Sequence, residues 1–333
     1  MKRFVPPALL LTSFAVAFAE TPPNAATELP VPVATTNSSL EVATGGESER
    51  LLAELESDAK ANPTDARKLA KYGLALVRAG RNEEGLAALT RARGMAPDEP
   101  EVLLLHAKGL AKTGHIAEGI EFAMKAARSS LATPKVAAEA LFTAGSLEWK
   151  REKLDEAEKL LKESISLDRH NAGAYLNLGL IYLSQQKPSD GMAMLEQAAL
   201  VGRDNPGLIK SLARTYESQG RLDKAFELWT HLAELVPEDP GIRFVLGAYC
   251  YERQMWSLAE KHLRKAITIN AADGSARLKL AMTLQRMGRY DDAELQAKLA
   301  QKVGHPEAQS VLDSIAYERK LKPALAPDRS PGG

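Results

Sequence analysis

The chain has 333 residues, 43 Lys and Arg against 43 Asp and Glu, a formal net charge of zero, and 45% hydrophobic content. A neutral chain has no global electrostatic attraction for nucleic acid, and this apolar share is that of folded protein rather than disorder. The single cysteine, Cys250, excludes an internal disulfide and is expected to pack as a small hydrophobe.

Residues 1–19 place Lys2 and Arg3 before an apolar stretch broken by Pro6 and Pro7, then Ala17-Phe18-Ala19 ahead of Glu20. This order of charge, apolar run and small residues is that of a secretory signal peptide with cleavage after Ala19. It predicts an exported chain, periplasmic or secreted and bacterial, with no integral membrane segment after cleavage. Residues 20–47 are rich in Pro, Thr, Ala and Ser, show neither helical nor strand periodicity, and read as a tether. A capping helix is expected over 48–62, a second over 308–320, and a Pro-containing tail over 321–333.

Between the caps the chain repeats itself. Leu154-Asp155-Glu156-Ala157 returns as Leu222-Asp223-Lys224-Ala225 and as Tyr290-Asp291-Asp292-Ala293, and Tyr175 to Tyr182 is echoed by Phe244 to Tyr249. The offsets are multiples of about 34 residues, the period of a helix-turn-helix array. Small residues recur at position eight (Gly73, Ala107, Gly145, Gly179, Ala213, Gly247, Ala281), with further small residues at positions twenty and twenty-seven. Leu232 is a large exception at position twenty-seven.

In this pattern the chain resembles the tetratricopeptide repeat (TPR) family. The resemblance gives repeats over 66–99, 100–133, 138–171, 172–205, 206–239, 240–273 and 274–307. It implies an all-α fold, a TPR α-solenoid of antiparallel helix pairs wound into a right-handed superhelix. Glycines at Ala79-Gly80, Thr113-Gly114, Gln219-Gly220 and Met287-Gly288 are placed to close the first helix of a pair. Pro134 to Ala137 stand between the second and third repeats and are expected either to lengthen a helix start or to add a small twist there.

The resemblance also assigns the inner face to the first helix of each repeat. Its positions carry the cations Arg67, Arg78, Lys108, Lys112, Lys150, Lys210, Arg214 and Arg286 against Glu101, Glu139, Glu217 and Glu252. Interleaved are Phe142, Trp149, Leu176, Leu180, Leu183, Phe244, Tyr251, Leu278 and Met282. Aromatic anchors ringed by charge are the composition of interaction hot spots. These residues are therefore expected to form an exposed, mildly basic groove for an acidic and apolar segment of a partner protein. Asn177 stands where some family members hold a terminal carboxylate, but Phe142 and Ser146 occupy the places of the accompanying Lys and Asn.

The six histidines fall at different repeat positions, with no HExxH, no Cys/His cluster and no Gly-rich phosphate loop. The expectation is a chain that is not an enzyme and takes no cofactor or metal: a protein-interaction scaffold of the bacterial cell envelope. The alternative is a polymer-handling or assembly component of a polysaccharide export or secretion system, with Trp149 and Tyr251 stacking on sugars.

Overall fold

The computed structural model describes residues 45–321, which form sixteen α-helices and, among the described residues, no strand. The signal peptide, the tether as far as residue 44 and the tail from residue 322 lie outside the described residues. The architecture is an all-α TPR solenoid. The chain divides into two compact units, one ending at Leu228 and the other starting at Trp229, inside α11 (Leu222–Leu235).

The first unit opens with α1 (Gly45–Ala61), so the first helix begins inside the stretch expected as tether. Four antiparallel pairs follow: α2 (Ala66–Arg78) with α3 (Asn82–Met95), α4 (Pro100–Lys112) with α5 (Ile116–Ala127), α6 (Pro134–Lys150) with α7 (Leu154–Leu167), and α8 (Ala172–Ser184) with α9 (Pro188–Val201). Then comes α10 (Pro206–Ser218). The second unit pairs α12 (Pro240–Glu252) with α13 (Trp256–Ile269) and α14 (Gly274–Arg286) with α15 (Tyr290–Lys302), and ends in α16 (Ala308–Leu321). The first helix of each pair is called the A helix and the second the B helix.

Local chemistry starts and stops these helices. The side chains of Asp65, Thr133, Asn171, Asn205, Asp239 and Asp273 accept the free backbone N–H groups at the starts of A helices. Proline at the first helical position serves α4, α6, α9, α10 and α12, where its missing donor costs no intrahelical bond. The third repeat's A helix starts at Pro134, so Pro134 to Ala137 add one turn to α6.

A helices end in a left-handed residue: Gly80, Gly114, Gly220 and Gly288 take φ between 69° and 88°. Glu152, Gln186 and Gln254 adopt the same conformation without glycine's freedom.

Within a pair the two helices meet at the small residues. A Cβ on Gly179 would lie 3.0 Å from the Gly191 carbonyl oxygen and from Leu195, so the α8–α9 approach requires glycine there. Large residues then fill the seam between pairs: Ala66, Ala70, Leu74, Val77 and Leu89 of the first repeat pack on Val102 of the second. No helix pair can bury these faces alone, so each stands on its neighbour.

Candidate partner-binding face

In the first unit the A helices α2, α4, α6, α8 and α10 pack side by side, α2 on α4, α4 on α6, α6 on α8 and α8 on α10. This brings Arg67, Lys108, Lys112, Lys150, Lys210 and Arg214 onto neighbouring helices, but their electrostatic states differ.

Part of the charge on the first three A helices is satisfied from one helix to the next. The Arg67 guanidinium lies 2.9 Å from Glu99 and 3.7 Å from Glu101, and the Lys71 ammonium lies 3.1 Å from Glu101. Hydrogen bonding to Glu99 holds Arg67 above its ordinary pKa. Lys108 on α4 donates to Glu139 on α6 with only 12% of its side chain exposed. Glu99, Glu101 and Glu139 therefore act as ties between repeats, a role that reading single positions does not reveal. The signal was present in the sequence, as acids about one period after the cations Arg67 and Lys108.

Lys112, Lys150, Lys210 and Arg214 are exposed and make no ion pair among the described residues. Arg78, at the end of α2, is half-buried.

The expected exposure of the apolar residues is corrected by the structure. Phe142, Trp149, Leu176 and Leu180 are 1%, 2%, 0% and 4% exposed, and Leu183 is half-buried. They are core, because adjacent A helices close over them. The Phe142 ring runs against Gly173, where a Cβ would come within 2.9 Å of the ring. Trp149 is buried, and its indole Nε1–H has no partner among the described residues.

Asn177 is also internal. Its Nδ2 donates to Ser146 Oγ at 2.8 Å, and that hydroxyl donates to the Phe142 carbonyl at 2.8 Å, tying α8 to α6. A solvent-facing carboxylate site at Asn177 is thus absent.

In the second unit Tyr251 and Leu278 are buried, while Phe244 and Met282 are half-buried and Arg286 is exposed. Tyr251 is enclosed by Trp256, edge-on with ring centroids 5.3 Å apart, and by the Lys279 ammonium 4.8 Å over its face. Burial pushes Lys279 below its ordinary value, with Glu252 at 3.8 Å opposing the shift. Hydrogen bonding to Tyr251 raises Arg286.

Cys250 is buried, and burial raises its thiol pKa. Among the described residues no three His, Cys, Asp or Glu side chains gather as a metal site, and no helix is long and apolar enough to cross a membrane.

Helix pairs of constant period, joined at small residues and stacked through their A helices, define an α-solenoid repeat protein. Residues 148–214 match the family model of the tetratricopeptide repeat. That match covers one part of the array, and the helix pairs on either side of it repeat the same all-α TPR solenoid fold, which suggests protein partners.

Among solved structures it is similar to the human IFIT1 dimer with m7Gppp-AAAA, at 22% identity over 85% of this chain and 69% of that one, with a TM-score of 0.55. It is also similar to the APC/C hetero-tetramer Cut9-Hcn1, at 16% identity over 72% of this chain, with a TM-score of 0.50. The chain spans 46% of the length of that Cut9-Hcn1 chain. A thermophilic TPR protein of Thermus thermophilus is 25% identical over 56% of this chain and 99% of its own, with a TM-score of 0.46. No curated protein matches the sequence.

Proposed function

We propose that this chain is a non-enzymatic scaffold that binds an acidic segment of a partner protein along the A helices of repeats two to five. The observation that carries the reading is the contrast on that face. Arg67, Lys71 and Lys108 are neutralised from within, whereas Lys112, Lys150, Lys210 and Arg214 present charge to solvent without an ion pair. Exposed cations of one sign on adjacent helices steer and orient an anionic partner more than they add raw affinity.

The charged and apolar start of the sequence supports an exported chain acting in the bacterial cell envelope, periplasmic or secreted. The polysaccharide reading requires exposed aromatic faces at Trp149 and Tyr251. Both are buried, so no observation favours it.

The test is a crosslinked pull-down from the envelope fraction, comparing the wild-type chain with a Lys150→Glu, Lys210→Glu, Arg214→Glu variant. A defined protein retained by the first and lost by the second supports the reading. Equal retention by both removes this face from it, and recovery only from a non-envelope fraction removes the compartment.

A further inference from the structure

Met95, Leu131, Leu167 and Leu200 recur at one place in four successive repeats. Met95 and Leu167 are the last residues of α3 and α7, Leu200 stands in the last turn of α9, and Leu131 lies in the turn after α5. Each B helix ends where the next A helix starts, and α4, α6, α8 and α10 lie side by side. The four side chains therefore line one rim of the first unit, spaced by one helix diameter, about 10 Å. All four are exposed, Leu131 and Leu200 at 67% and 68%. Among the described residues of that unit, the other exposed large apolar side chain is Leu222.

The rim is also cationic. Arg128, Lys135 and Arg169 are exposed there and make no ion pair among the described residues. The acids of the rim are engaged: Asp98 with Lys125, Glu99 with Arg67, Asp204 with Arg203, and Asp168 with the His170 backbone N–H. One turn further back, Arg91 of α3 stands exposed against Glu163 of α7 and Glu196 of α9. The opposite edge, where A helices end and B helices start, mixes Glu83, Asp155 and Asp190 with Arg151, Lys153 and Lys187, and its exposed large apolar residue is Leu222. The helix dipole gives no reason for one cationic rim, since each edge receives the end of one helix of a pair and the start of the other.

We propose that this rim docks on an anionic lipid surface, with Arg128, Lys135 and Arg169 on headgroup phosphates and Leu131, Leu167 and Leu200 in the interfacial layer. The leucines project singly from helix ends. A fluid surface takes each of them wherever it falls, whereas a folded partner would need a separate pocket for each at that spacing. A second copy set rim to rim would bring like charges together. Lys112 and Lys150 stand at the other ends of α4 and α6, so the rim is separate from the face proposed for a protein partner.

The experiment is co-flotation of the full chain with vesicles of phosphatidylglycerol and phosphatidylcholine in equal parts, and with phosphatidylcholine alone. The expected result is retention on the anionic vesicles and little on the neutral ones. Arg128→Gln with Arg169→Gln should weaken partition at least about tenfold, and Leu131→Ser with Leu200→Ser about tenfold. All four sites are exposed, so circular dichroism melting should be unchanged. A Leu131→Trp variant should gain fluorescence on anionic vesicles that lipids brominated on the acyl chain quench. Absence of retention on anionic vesicles overturns the proposal. So does retention with an unquenched Leu131→Trp, which would mean adsorption by charge alone. A greater loss from Lys150→Glu with Lys210→Glu than from the rim variants also overturns it, and moves the lipid contact to the inner face.

Discussion

The inner face of the first unit has two halves built on the same helix geometry. On α2 and within α4 three cations are used as ties: Arg67 holds Glu99 at the end of its own repeat, Arg67 and Lys71 hold Glu101 of the next, and Lys108 holds Glu139. From the end of α4 to α10 the cations Lys112, Lys150, Lys210 and Arg214 have no such acid. Equal fold and unequal pairing show that a basic residue on an inner position is informative only once its neighbour one period away is known. A count of cations would have assigned the whole face one character.

The largest expected effect separates core from surface within a single turn of α6. Trp149 is buried and Lys150, the next residue, is exposed. Trp149→Ala should cost about 3–5 kcal/mol of unfolding free energy, as for large aromatic side chains removed from cores. Lys150→Ala should stay within about 0.5 kcal/mol. Urea unfolding of the two variants checks this. Equal small losses would return Trp149 to the surface role expected from its repeat position.

A second effect lies in the paired half, where His106 of α4 is 4% exposed and its Nδ1 has no partner among the described residues. Its ring lies 5.0 Å from Phe122, and the Arg93 guanidinium sits 4.8 Å over that same Phe122 ring. Burial lowers the imidazole to about 4 from 6.5, Arg93 adds to the shift and Glu118 opposes it.

The unfolded chain therefore takes up this proton first as pH falls. The stabilisation is complete above the unfolded pKa and is lost as pH drops from 6.5 towards about 4. Between about pH 7 and 5 the wild type should lose about 2 kcal/mol more than His106→Leu does. Parallel stability curves for the two proteins would show that His106 reaches water.

How far the sequence foretold this molecule depends on what sets each feature. The repeat was legible because it rests on local chemistry at a fixed spacing: small residues where A meets B, as at Gly179 and Gly191, and Asp or Asn at helix starts. The extra turn of α6 was legible from Pro134 for the same reason.

The site was legible in part. Lys112, Lys150, Lys210 and Arg214 stand exposed on the face assigned to them, but Phe142 and Trp149 do not. Their burial depends on how closely the next A helix approaches, and that distance is set by residues such as Gly173, which belong to another repeat. Position within one repeat cannot carry information about its neighbour. The left-handed Glu152, Gln186 and Gln254 escaped notice likewise, since nothing in those residue types announces a positive φ.

The third effect is on binding. Replacing Lys150 and Lys210 by Glu should weaken association with an acidic probe peptide by about tenfold, equivalent to about 1.4 kcal/mol. The loss should shrink as salt is raised, because exposed charges are screened within about 10 Å at ordinary ionic strength. The same reversal at Arg67 should change affinity less, since its charge is already matched by Glu99. Isothermal titration at two salt concentrations compares the sites. Equal losses at both would erase the distinction between the halves.

The smallest effect tries to convert one half into the other. Glu99→Gln with Glu101→Gln leaves Arg67 and Lys71 in place and removes the acids that hold them. Both cations are half exposed, at 55% and 51%, so water replaces the lost partners and the fold should lose less than about 1 kcal/mol. The freed charges then extend the exposed cationic face by one repeat, and affinity for the acidic probe should rise about two- to threefold at low salt, the return expected from rim charges. If affinity is unchanged while stability falls as expected, the binding surface begins no earlier than Lys112, and the paired half serves only to hold the first repeats together. If stability falls by several kcal/mol instead, Glu99 and Glu101 are structural members of the seam between repeats, and the exposed half owes its free cations to having no need of such a tie.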